Sequence, residues 1–243
     1  MRPCRPPPPA AVQPARIALI ADVPQWPAAE ADTAALFDLM ANQQMALIVH
    51  AGGIKGDTES CGDAVLNVRQ RVLDEAPLPL LYVPGENDWA ECQKPVNGEF
   101  EDRREANRQW LSRAFSVAEQ RDLDGVVVVG HADPMFGNGW EKRGKPTLFD
   151  GFLRRGARDG YLEFKRQLRD LAGKYKGQVL LVHASDSGFS VDKPLRDAAG
   201  KTVPNVTRVA LPVGSPSRWT ELTVSPGSRT VFQVKLRDGV KGN

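Results

Sequence analysis

With 243 residues, 41% of them hydrophobic and 26% charged, the chain has enough apolar material for one sizeable domain or two small ones, which excludes a mainly disordered state. The 32 Lys and Arg against 30 Asp and Glu leave a formal charge of +2, too near balance to argue for a nucleic acid or an anionic membrane on electrostatics alone. No run approaches the roughly 20 consecutive apolar residues needed to span a bilayer.

The first 15 residues contain four consecutive prolines and read as an extended, solvated arm. The arm lacks the apolar core of a signal peptide, so the expected location is the cytoplasm, or the periplasm or exterior if an export signal lies upstream. From Arg16 onward, short β-branched runs alternate with amphipathic stretches, and residues 16–243 are expected to form a single domain. RIALIADV, ALIVHAG, PLLYVPG, GVVVVGHA and QVLLVHAS each have the length and flanking turn residues of a buried strand. Between them, Leu36, Phe37 and Met40, then Ala64, Val65, Val68 and Val72, then Tyr161, Phe164, Leu168, Leu171 and Tyr175 recur at helical spacing. This alternation predicts βαβ units with parallel strands. After about Thr202 the strands TRVALPV, WTELTVS and TVFQVKL follow without helices. Phe232, Val234 and Leu236 alternate with Gln233 and Lys235, so one face is buried and one wet. These strands are expected to be an antiparallel addition, a second sheet packed on the first.

Ligands of open α/β sheets bind beyond the carboxyl ends of the strands, where the loops converge. The first five strands end at Asp22, at His50, at Glu86, Asn87 and Asp88, at His131 and Asp133, and at His183 and Asp186. The chain's three histidines all fall on that edge. Asp, Asn and His there form a donor set suited to Mn, Fe or Zn, and such a metal can polarise a phosphoryl oxygen and activate a water. Taken singly, Asp22 and Asn87 are equally well read as helix caps. Of the three cysteines, Cys4 lies in the arm, while Cys61 and Cys92 follow successive strands and are either bridged or two ordinary thiols.

The segments IALIADVP, IVHAGGIKGDTESC, YVPGENDWAECQK, VLLVHASDSGFSVDKPL and VPNVTRVALPVGSP resemble the motifs of the calcineurin-like metallophosphoesterases, in particular a bacterial branch carrying HVGDIKGG, PGDNEWTDCHR and LLVHGDTH followed by VDKPL. The resemblance runs from about Arg16 to about Leu236. It implies an α/β sandwich of two mixed sheets flanked by helices, and it favours pairing of Cys61 with Cys92. By position it implies Asp22, Asn87 and His183 as metal ligands, with His131 as the candidate catalytic proton donor and His50 as structural.

The departures from that pattern are as informative. The family's second motif supplies a carboxylate that bridges two metal ions, and Gly53 stands there. Divalent ions about 3.5 Å apart repel by roughly 5 kcal/mol even in water's dielectric, so losing the bridge is expected to leave one divalent ion at most. Asp57, four residues on, is a candidate substitute. The last motif histidine is Ser187, with Asp186 as a nearby substitute ligand, and the branch's DCHR histidine is Gln93. The expected function is therefore metal-dependent hydrolysis of a phosphate mono- or diester, on a small phosphorylated substrate, weakened or lost. The alternative is a non-catalytic binding or structural module on the same fold.

Other chemistries are poorer fits. AGGIKGD lacks the order of a phosphate-binding P-loop, and Ser185, Ser187 and His183 lack a nucleophile elbow. EKRGK, between Trp140 and Pro146, with Arg154, Arg155 and Arg158 after it, reads as a solvated loop before it reads as an anion site.

Overall fold

The computed structural model describes residues 13–240 apart from 26, 57, 86, 87, 89–96, 138–158 and 215. The elements follow the alternation of the sequence. They are β1 (Ala15–Ile20), a 3-10 turn (Pro27–Ala29), α1 (Glu30–Asn42), β2 (Leu47–His50), α2 (Asp63–Asp74), β3 (Leu80–Tyr82), α3 (Asn97–Gln120), β4 (Gly125–Val129), α4 (Leu162–Ala172), β5 (Gln178–Ser185), β6 (Ser190–Asp192), β7 (Val206–Pro212), β8 (Arg218–Val224) and β9 (Phe232–Asp238).

Two mixed sheets result, in the orders β3-β2-β1-β8-β9 and β4-β5-β7-β6. In the first, β1 to β3 are parallel, and β8 returns antiparallel to β1 and carries β9. In the second, β4, β5 and β7 are parallel and β6 is antiparallel to β7. The metallophosphoesterase-like sandwich expected from the motifs is therefore present, with one correction to the reading of the C-terminal strands. They form no sheet of their own: β7 joins β5 in parallel, whereas β8 and β9 extend the N-terminal sheet. Apolar runs carry no information about which neighbour a strand selects, so the split is visible only in the pairing.

Side-chain alternation builds four layers: helix, sheet, sheet, helix. Leu19, Ala21, Val49 and Ala51 of the first sheet meet Leu180, Val182, Ala184, Val209 and Leu211 of the second in the central core. The opposite face of the first sheet, Ala18, Ile20, Ile48 and Trp219, is covered by Leu36, Phe37 and Met40 of α1. The opposite face of the second, Val126, Val179, Leu181 and Val206, is covered by Leu111, Phe115 and Ala118 of α3 and by Leu168 and Ala172 of α4. Phe232 and Val234 pack on the central core, as the alternation in β9 requires.

Two helices bury charge where the apolar pattern pointed elsewhere. On α2, Ala64 is exposed and Arg69 is the buried residue. On α4, Lys165 is buried, bonded to Asp159 Oδ2 (2.7 Å) and Met135 O (2.9 Å), while Tyr161 precedes the helix and is exposed. Among the described residues no helix is long and apolar enough to cross a membrane.

Candidate metal centre

The loops after β1 and β2 are stitched together by backbone and by one histidine. Asp22 sits just beyond β1 in a left-handed conformation (φ 56°), its N–H donating to Gly52 O at 2.8 Å and its side chain almost wholly buried. Gln25 Nε2 donates to its Oδ1 at 3.4 Å. His50, the last residue of β2, is fully buried; its Nε2 donates to Val23 O and its Nδ1 accepts the Gly52 N–H at 3.1 Å. Burial pushes His50 down to about 4, against the opposing effect of the Val23 bond, so the ring is neutral and both nitrogens are used. His50 ties the two loops together and has no lone pair to offer a metal.

The next turn depends on two left-handed glycines, Gly52 (φ 89°) and Gly53 (φ 81°). A Cβ on Gly52 would stand 2.5 Å from Gly85 N. A Cβ on Gly53 would stand 2.0 Å from Asp22 Oδ1 and 3.1 Å from His131 Cε1. The Asp22 carboxylate thus lies where a side chain at position 53, the family's bridging position, would begin.

A different carboxylate organises this turn. Asp88 accepts N–H bonds from Gly53 (2.8 Å), Ile54 (2.8 Å), Lys55 (3.2 Å) and Gly85 (2.7 Å), and an O–H bond from Tyr82 (2.5 Å). Successive N–H groups converging in this way form an anion-binding nest, here filled from within the chain. Burial and Asp88 together hold the Tyr82 proton far more firmly than in free tyrosine. Beyond the nest, buried Lys55 donates to Gly56 O and Glu59 O, and buried Arg69 reaches Ile54 O, Glu59 and Glu30. Residues 53–56 and Glu59 are thereby held in place.

The other two histidines diverge. His131, just past β4, donates from Nδ1 to Ala51 O at 2.8 Å and brings its Cε1 to the same point beside Gly53 that Asp22 approaches. His183 lies within β5, and by the alternation that sends Leu180, Val182 and Ala184 into the central core it shares the opposite face with Val179 and Leu181. Its Nδ1 donates to Ala184 O, and its buried Nε2 has no hydrogen-bond partner among the described residues, facing Asp133 Oδ1 at 3.8 Å. Asp133 in turn is 3.7 Å from Arg208, which is paired with Asp192. Burial lowers the His183 pKa, so it too is neutral. Asp186 is exposed in the turn after β5.

Of the expected site residues, the structure brings together Asp22 and His131 and turns His183 toward Asp133. Asn87, Asp57 and Cys92 lie outside the described residues. Cys61 is disulfide-bonded, and the chain's other cysteines, Cys4 and Cys92, are both outside the described residues. Lys55 and Arg69 were not legible in the sequence, because charged residues in a loop and on a helix look solvated until their partners are known. In PGEND the acidic character of Asp88 was legible, but not its donors.

Among the described residues, the donor set does not fit a two-metal centre. The bridging position has no carboxylate and no room for one, His50 and Asp88 are fully engaged, and His183 looks to another face. Among the described residues, no group of three or more His, Cys, Asp or Glu is placed to hold a metal ion.

No protein-family model and no curated protein matches the sequence. Solved structures do. GAP50, described as the anchor in the inner membrane complex of Plasmodium, matches with a TM-score of 0.52 and 14% identity over 94% of this chain and 90% of that one. A dimetal phosphatase from Danio rerio matches at 0.43 and 10% over 93% and 99%, and Vps29 from Cryptosporidium parvum at 0.34 and 12% over 94% and 99%. The likeness is one of fold, and the first of these carries it.

Proposed function

We propose that the chain descends from calcineurin-like metallophosphoesterases and uses their architecture as a non-catalytic binding or structural module. The observation that carries this reading is the position of Asp22 Oδ1, 2.0 Å from where a Cβ of residue 53 would stand. A bridging carboxylate could be restored there only by displacing a buried one, and the turn that would present it is already held by Asp88. The disulfide at Cys61 supports the exported alternative for location, since such bonds persist in oxidising compartments.

The test is metal analysis of the purified chain, together with hydrolysis of an aryl phosphate monoester and diester in manganese. The expected result is no bound metal and no turnover above the blank. Turnover by the unaltered chain that disappears in Asn87→Ala or His131→Ala would overturn the proposal in favour of hydrolysis, which the placement of both Asp22 and His131 beside Gly53 favours. Gly53→Asp should gain no manganese-dependent activity and should lose about 2 kcal/mol or more of stability by urea unfolding, from the left-handed backbone and the collision with Asp22.

A further inference from the structure

The outer surface of α3 carries a feature that neither the fold nor the strand-end loops require. Its inner face is used, with Leu111, Phe115 and Ala118 in the core and Gln167 of α4 donating to Arg108 O and Ser112 Oγ. On another side stands Trp110, 77% exposed, although an indole is the largest apolar surface a residue can bury. Trp110, Arg113, Ala114 and Val117 line a shallow, open depression. At about 100° per residue, Ala106, Arg113, Val117 and Arg121 fall within about 60° of Trp110 and extend over about 22 Å. All of them are exposed except Val117, which is half-buried, and the Arg121 N–H still continues the helix by bonding Val117 O at 3.0 Å.

The spacing of this stripe is four, three, four and four residues, the repeat of a helix that packs along a second helix. Small Ala106 and Ala114 beside Trp110 let another backbone approach closely. Its charge has one sign. Between positions 103 and 121 the acidic residues are Glu105 and Glu119, both about 140° or more round the helix from Trp110. Glu105 is spent on Arg108 and Gln109. Among the described residues, no ion pair engages Arg113 or Arg121. Exposed tryptophan and arginine are the residue types that most often dominate protein interfaces.

We propose that this stripe of α3 is a docking face for an acidic amphipathic helix of a partner protein, with an apolar seam laid over Trp110 and Val117 and Asp or Glu side chains meeting Arg113 and Arg121. With exposed Arg103, which falls about 20° from Trp110 on the same stripe, three cations along about 27 Å still fall short of the roughly 4 to 8 clustered Lys and Arg that hold a protein on anionic lipid, and of the roughly 6 to 10 phosphate contacts of a typical DNA-binding surface. A narrow helix is served by what is present. This face shares no residue with the strand-end loops, and the proposal stands whether or not hydrolysis is lost.

The experiment is a display selection of helical 21-residue peptides against the full chain, counter-selected on the Trp110→Ala, Arg113→Glu double variant. Both positions are exposed, so the variant should match the parent in melting temperature. The expected outcome is enrichment of sequences with an apolar seam flanked by Asp or Glu. The best of these, synthesised, should bind the parent at least tenfold more tightly than either single variant, and should lose binding when its acids become Lys. Enrichment that ignores the two substitutions, enrichment of peptides without acids, or no enrichment would each overturn the proposal. So would binding of vesicles rich in phosphatidylglycerol, or of duplex DNA, at physiological salt through the same two residues, which would make the stripe a polyanion surface.

Discussion

Asp88 holds the loops after β2 and β3 together. Four N–H groups and one phenol O–H point at its carboxylate, so neutralising it strands buried donors. Asp88→Asn would also aim an amide NH2 at some of those donors. A destabilisation of about 3 kcal/mol is expected, the range for buried hydrogen bonds to a charged group left unmade. Urea unfolding of the variant measures it, and a cost below about 1 kcal/mol would show that the nest forms without its anion. Gly53 makes the complementary point. Its left-handed conformation and the nearness of Asp22 mean that the glycine is required by the turn.

At the scale of elements, the first sheet has a polar clamp across three strands. Glu221 on β8 accepts bonds from Arg16 Nε (3.0 Å) and Nη2 (3.1 Å) on β1 and from Arg237 Nε (2.7 Å) on β9. Arg16 foremost and Arg237 second, against the opposing effect of burial, hold the Glu221 carboxyl down to about 2. Because the folded value lies below the unfolded one near 4.5, this contribution is present above pH 4.5 and is lost as pH falls toward 2. Both arginines are more than one-third exposed, which screens the pair, so Glu221→Gln is expected to cost about 1 to 2 kcal/mol at pH 7 and much less at pH 3. Denaturant unfolding of parent and variant at the two pH values decides it; an equal cost at both would assign the effect to packing. The same elements show how far sequence pattern reached. The run of apolar residues in β5 announced a central strand, and it is buried on both faces. The charged positions Arg69 and Lys165 were invisible as buried residues, because a long cation inside a fold is stabilised by partners from distant segments, Glu30, Glu59 and Asp159.

For the molecule as a whole, the complete burial of a neutral His50 makes stability depend on pH in a calculable direction. The folded His50 protonates near 4 and an unfolded histidine near 6.5, so the unfolded chain takes up the proton first. Stability from this source is intact above pH 6.5 and declines as pH falls toward 4, by up to about 1.4 kcal/mol per pH unit. His183, lowered by burial as well, adds to the same slope. The urea midpoint should therefore drop between pH 7 and pH 5, and His50→Gln should reduce that dependence. A parent profile that is flat over this interval would contradict a buried neutral His50.

The sequence by itself determined the layers: apolar runs of strand length and amphipathic stretches of helical period. These are local properties, fixed by backbone geometry and by which side chains water excludes. Only the tertiary structure decided that β7 parts from β8 and β9, that His131 and Asp22 both come up beside Gly53 while His183 faces Asp133, and that Asp88 fills the nest between two loops. Those outcomes rest on pairing between segments far apart in the chain, where several partners satisfy the same apolar pattern and the geometry of the whole core selects one.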